Sequence, residues 1–124
     1  MAGELDGRQI DHIVLDTGAA STVFDLNYCQ SEGISVIDTK QLGGGGVNGK
    51  THHLFSLGNA RLTLDGMSIR SDGIFAMDLS HTNEKLLARG SDRINAILGQ
   101  DVLRNHQAVI DYATLALFLR EESA

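Results

Sequence analysis

Ile13-Val14-Leu15-Asp16-Thr17-Gly18-Ala19-Ala20-Ser21 runs three large apolar residues straight into a carboxylate, a threonine, a glycine and three small residues. The apolar half reads as a short strand covered on both faces, and Thr17-Gly18 reads as the turn that ends it. That position implies a partly buried Asp16. A buried carboxylate is costly unless it is hydrogen-bonded or shares a proton with a second acid, so its placement needs a reason. Two reasons fit: a local turn in which Asp16 and Thr17 bond nearby backbone, or a site that uses the carboxylate for chemistry.

The second informative stretch lies far downstream. Asn95-Ala96-Ile97-Leu98-Gly99-Gln100-Asp101-Val102-Leu103 is another apolar strand that ends in glycine and enters a short helix. Around these two stretches, strand patterns cover Ile10 to Leu15, Ala60 to Leu64, Ile74 to Met77, Ala96 to Leu98 and Leu115 to Leu119. Asp6-Gly7, Asp65-Gly66 and Asp72-Gly73 are tight-turn dipeptides, and at least two hairpins are expected. Val109-Ile110-Asp111 reads as a strand entering the turn Asp111-Tyr112-Ala113-Thr114. Helical signals are few: Asp25 caps a short helix through Gln30, Gly99-Gln100-Asp101 opens one running to Asn105, and a third lies within Asn83 to Arg89. The class is mainly β with short helices.

At 124 residues, with hydrophobic residues at 42% and charged ones at 21%, the chain fits one folded domain over residues 1–124. Ten basic against sixteen acidic residues give a formal charge of −6, which disfavours binding to nucleic acid phosphates or an anionic membrane surface. One cysteine, Cys29, cannot form an internal disulfide. No Cys/His cluster has metal-ligand spacing, so no metal is expected. Nothing approaches the roughly 20 apolar residues of a membrane span or the pattern of a signal peptide. A soluble domain is expected, in the cytoplasm if the chain is complete and otherwise in a compartment set by flanking segments.

Gly44-Gly45-Gly46-Val47-Asn48-Gly49-Lys50-Thr51 matches the phosphate-binding pattern G-x-x-x-x-G-K-T. That loop works only when a helix follows it, because the helix N-terminus supplies amides and a dipole to the phosphate. Thr51 to Gly58 has β-branched and aromatic residues and no helical stripe. A glycine-rich hairpin is the better reading. His52 and His53 are then strand residues, Cys29 a core or surface thiol without a base, and Ser21 a structural residue without a triad.

An apolar strand presenting Asp-Thr-Gly, with a second apolar strand ending in glycine behind it, resembles the retroviral-type (retropepsin-like) aspartic proteases. The run Ile97-Leu98-Gly99-Gln100-Asp101-Val102-Leu103 through Asp111-Tyr112 is similar to Ddi1-like and bacterial members more than to viral ones. The resemblance spans Leu15 to about Leu119 and implies a mainly β, single-lobe acid-protease barrel with short helices. It implies an endopeptidase without cofactors that hydrolyses a peptide or protein substrate. One such motif per chain implies a homodimer in which the two Asp16 side chains meet at the axis, because this chemistry needs two carboxyl groups and a twofold axis brings identical residues together.

By the same resemblance Thr17, Gly18, Ala19 and Gly99 support the active-site loop. Ala20 and Ile97 bind substrate, as do Gly45, Gly46 and Val47 in a flap within Gly43 to Gly49. Each has a plainer alternative: a turn contact for Thr17, a turn glycine for Gly18, packing for Ala19, Ala20 and Gly99, and a surface hairpin for the flap. A non-catalytic dimeric peptide-binding module on the same scaffold is the second functional reading, and nucleotide binding at Gly44 to Thr51 the third. The chain departs from viral members in its short segment before the motif, with only a hairpin from Gly3 to Leu15 expected there, and in the residues that flank the two motifs. Viral members place an acid after the motif's alanine and an arginine after the downstream glycine, where this chain has Ala20 and Gln100.

Overall fold

The computed structural model describes residues 1–44 and 51–121. In chain order the elements are β1 (Gly3–Leu5), β2 (Arg8–Ile10), β3 (Ile13–Leu15), β4 (Val23–Asp25), α1 (Leu26–Ser31), β5 (Ile37–Gly44) and β6 (Thr51–Ser56). There follow β7 (Leu62–Leu64), β8 (Met67–Ser68), β9 (Phe75–Met77), α2 (Ser80–Ala88), β10 (Ala96–Leu98), α3 (Gln100–Asn105), β11 (Val109–Asp111) and β12 (Ala116–Phe118). They form a six-stranded sheet in the order β3-β10-β4-β9-β6-β5, a four-stranded sheet β2-β1-β7-β8, and the pair β11-β12.

Two hairpins close as their turn chemistry dictates. Leu5 pairs with Arg8 and Leu64 with Met67, leaving the two-residue loops Asp6-Gly7 and Asp65-Gly66. All four loop residues have positive φ, from 48° to 82°, which matches the right-handed twist of the flanking strands. Asp72-Gly73 is not a third hairpin, because the Asp72 N–H donates to the distant Asp101 Oδ2 at 3.2 Å. The strand expected from Ile10 to Leu15 is broken as well. His12 takes φ 57°, and the Asn95 backbone and side-chain amides hold the kink by donating to the His12 and Asp11 carbonyls. In one straight strand Ile10 and Ile13, an odd number of residues apart, would face opposite ways. The kink lets both enter the core, at 0% and 1% exposure.

The core gathers Leu5, Ile10, Ile13, Phe24, Leu62, Leu98 and Val102. It therefore ties both larger sheets to α3, directly behind the strand that carries Asp16. Cys29 is buried within it, on α1. Asp25 sits at the α1 N-cap but makes no side-chain cap bond. Its buried carboxylate instead accepts the Leu79 N–H at 3.0 Å, at the start of α2. That helix begins earlier than the sequence suggests, and its Asn83 is buried, bonding both backbone groups of Ile94.

Candidate active site

The site is built by threading one strand between two others. β10 runs parallel to β3, with Ile97 opposite Val14, and antiparallel to β4, with Ala96 opposite Phe24. The connection from β3 to β4, residues 16–22, must therefore arch past the C-terminal end of β10. Its start is fixed there by the Asp16 N–H, which donates to the Leu98 carbonyl at 3.0 Å. The Ala19 N–H closes the turn onto the Asp16 carbonyl at 3.1 Å.

Gly99 is what allows the loop to lie so close. A methyl group there would stand 2.5 Å from the Ser21 carbonyl oxygen and 2.9 Å from that of Ala19, both backbone atoms. The next residues bond the loop directly, the Gln100 N–H donating to Ala19 O at 2.8 Å and the Asp101 N–H to Ala20 O at 3.3 Å. The Gln100 side chain donates to Thr17 O at 2.6 Å. Gln100 thus supports the loop within its own chain, at the position where viral proteases carry an arginine.

Beneath the loop lies a buried polar chain that the sequence did not announce. The Gly99 N–H donates to Thr22 Oγ1 at 3.1 Å, and the Thr22 hydroxyl donates to Asp101 Oδ1 at 2.9 Å. Thr22 and Asp101 are each 1% exposed. Burial makes each of these bonds costly to lose, so the chain clamps β10, α3 and the loop together. Only the acid two residues after Gly99, inside α3, hints at it, and that signal is weak.

Asp16 stands at the opposite extreme. It is exposed rather than partly buried, because the apolar run ends at Leu15 and the turn lifts the carboxylate clear of the sheet. Among the described residues its carboxylate has one hydrogen-bond partner, the Gly18 N–H, which donates to Oδ1 at 2.8 Å. A side chain at Gly18 would crowd that same oxygen, at 3.2 Å. Asp16 thus makes its half of the local turn, and the turn opens onto a cavity.

That cavity, of about 420 Å³, is lined by Asp16, Gly18, Ala19, Ala20, Ser21, Val23, Gly43, Leu54, Phe75, Met77 and Ile97. Asp16 is the only charged residue of that lining among the described residues. The expected residues Ala20 and Ile97 are in the wall, with Gly18 and Ala19. Val23, Leu54, Phe75 and Met77 were not anticipated. Phe75 and Met77 share one face of β9, whereas Ile74 and Ala76 on the other face are core, and only the sheet order reveals which face meets the cavity. The arms β5 and β6 of the glycine-rich hairpin reach this wall through Gly43 and Leu54. Gly45, Gly46, Val47 and Lys50 lie outside the described residues. After Lys50 the chain continues as strand β6, so the helix required for phosphate binding is replaced by sheet.

Cys29 and His53 do not line the cavity. Burial, and secondarily the Asp25 charge, pushes the Cys29 thiol up to about 11. His53 on β6 pairs with Asp38 on β5. Among the described residues no three of His, Cys, Asp or Glu gather to hold a metal ion, and no helix is long and apolar enough to cross a membrane.

No protein-family model and no curated protein sequence matches the chain. Its structure is similar to the crystal structure of the retroviral protease-like domain of Ddi1 from Leishmania major. The TM-score is 0.59 at 17% sequence identity, over 95% of this chain and 84% of that one. The mainly β architecture with few short helices is therefore a retropepsin-like fold.

Proposed function

We propose that the chain, having this fold, is an aspartic endopeptidase that acts as a homodimer, with Asp16 of each subunit forming the catalytic pair. One observation carries the reading: a carboxylate that, among the described residues, is held by a single amide and is the one charge at the mouth of a largely apolar cavity. Alone, that group is incomplete. Hydrolysis of a peptide bond by carboxyl-assisted attack of water needs one carboxylate to take a proton from water and one carboxylic acid to polarise the carbonyl. A twofold axis beside Asp16 supplies the second group, and the two close acids then hold one proton between them and titrate as a unit.

Two surface features support the dimer. Thr17, next to Asp16, is exposed and available to bond across an axis. The hairpin β11–β12 presents Val109, Tyr112, Leu115 and Phe118 to solvent, the last three 81%, 89% and 57% exposed. An apolar surface of this kind suits a subunit contact. Leu117 and Leu119 of the same segment pack on the core, so the hairpin is anchored while its outer face is free. In this reading an extended peptide lies between the Asp16 loop and the arms β5 and β6, with apolar side chains against Val23, Phe75, Met77 and Ile97.

The test is cleavage of a mixed peptide library together with sedimentation. The wild type cleaves and sediments as a dimer, and a statine-type inhibitor stops the cleavage. Asp16→Asn remains dimeric and inert. Cleavage that survives Asp16→Asn, or an active monomer, overturns the proposal.

A further inference from the structure

Gln100, the first residue of α3, touches the Asp16 loop twice. Its backbone N–H holds the Ala19 carbonyl at 2.8 Å, and its side-chain Nε2 holds the Thr17 carbonyl at 2.6 Å. A carbonyl oxygen can only accept, so the nitrogen end of the amide must face it. The Thr17 carbonyl is not an isolated group. It is one end of a planar peptide unit whose other end is the Gly18 N–H, and the two cannot turn independently. The Gly18 N–H is the donor that holds Asp16 Oδ1 at 2.8 Å.

We infer that Gln100 is a positioning residue for Asp16, acting through the Thr17–Gly18 peptide. Holding the carbonyl fixes the peptide plane and so the direction in which the N–H meets the carboxylate. A donor on the carbonyl also draws electron density from the peptide and makes its N–H a stronger donor, so the two bonds reinforce each other. The anchor for this relay is firm. Gly99, immediately before Gln100, is bonded to Thr22, and Asp101, immediately after it, is bonded to both Thr22 and Asp72. Gln100 does not line the cavity among the described residues, and its role therefore runs through Gly18 rather than through substrate.

The inference rests on the proposed protease activity for its kinetic part only. The experiment compares the wild type with Gln100→Leu, Gln100→Glu and Gln100→Arg, well below each unfolding midpoint. It reads the Gly18 amide in ¹H–¹⁵N spectra and kcat and KM on a cleaved peptide. Gln100→Leu moves the Gly18 amide proton upfield and speeds its exchange about fivefold, the worth of one modest hydrogen bond. It lowers kcat by a similar factor and leaves KM unchanged. Gln100→Glu has nearly the same shape but sets an acceptor against an acceptor, and its loss is larger. Gln100→Arg retains N–H donors and restores both readouts. A Gly18 amide that ignores the Leu and Glu variants overturns the inference whatever the enzyme does, as does a responding amide with unaltered kcat in an active wild type. A responding amide in a protein that cleaves no peptide upholds the structural relay and overturns the protease reading instead.

Discussion

The mouth of the cleft and the floor beneath it each carry an aspartate, and the fold treats the two in opposite ways. Asp101, on the floor, is 1% exposed, with one oxygen bonded by the Thr22 hydroxyl and the other by the Asp72 N–H. Asp16, at the mouth, is exposed and held by the Gly18 N–H. A buried carboxylate with both oxygens bonded to the fold is a structural clamp. One that keeps spare capacity beside an apolar cavity is available to a substrate, a water molecule or a second carboxyl group. Both lie within two residues of a glycine in a turn that ends an apolar strand, so neighbouring sequence alone does not separate them.

Replacing the two in parallel tests this division most directly. Asp16→Asn is expected to lower peptide cleavage by about 10³-fold or more, because it removes the acid–base group, while leaving the unfolding midpoint in urea within error. Asp101→Ala is expected to do the reverse first. It leaves the Thr22 hydroxyl and the Asp72 amide without their buried acceptor, for a loss of about 2–4 kcal/mol in urea-measured stability. Gly99→Ala should rival it, since a methyl group 2.5 Å from the Ser21 carbonyl oxygen forces backbone to move, costing about 3 kcal/mol or more. If Asp16→Asn proved the more destabilising of the two aspartate variants, the roles assigned to mouth and floor would be wrong.

What could be read from sequence divides along a related line. Turn and strand-end chemistry is local, and it located the Asp6-Gly7 and Asp65-Gly66 hairpins, the strand Ala96–Leu98 with the helix after it, and the Asp16 loop. The failures are contacts made across long separations. Thr22 and Asp101 are 79 residues apart, and Asp25 and Leu79 are 54 apart. No periodicity reports that such pairs meet. The kink at His12 has no local signal, because Ile10 to Leu15 reads as one strand until Ile10 and Ile13 must share one core. Asp16 was expected to be partly buried because three apolar residues precede it, but an apolar run tells how a strand is covered and not where the sheet ends. The apolar wall formed by Phe75 and Met77 was legible as strand and illegible as site for the same reason.

Cys29 extends the comparison to a second buried ionisable group. Its thiol, raised from 9.0 to about 11 by burial first and by the Asp25 charge second, has about 100-fold less thiolate near pH 8 than an ordinary cysteine. Alkylation by iodoacetamide in the folded protein should be slower by at least that factor and should recover in urea. The sign for stability follows from the neutral form being the one the fold accepts. Stability is full below pH 9 and falls as pH climbs toward 11. Rapid native-state labelling at pH 8 would mean that the core around α1 opens far more readily than its burial implies.

Asp38 provides the smallest effect and the sharpest contrast with Asp101. It is held in its charged form, chiefly by the Lys40 N–H at 2.8 Å and then by His53, and its carboxyl is lowered from the usual range. Because the folded state favours the ion, this contribution is present in full above the ordinary carboxylate range and disappears as pH falls through the lowered value, below about pH 4. Yet the group lies in water, where solvent and salt screen what its partners supply. Thermal midpoints measured from pH 6 to pH 3 should therefore fall only slightly less for Asp38→Asn than for the wild type, and 1 M salt should erase the difference. Asp101→Asn, with its partners sealed from solvent, should keep its deficit at high salt. A salt-resistant effect at Asp38 would show that the β5–β6 arms, and not only the floor of the cleft, are fastened by a carboxylate.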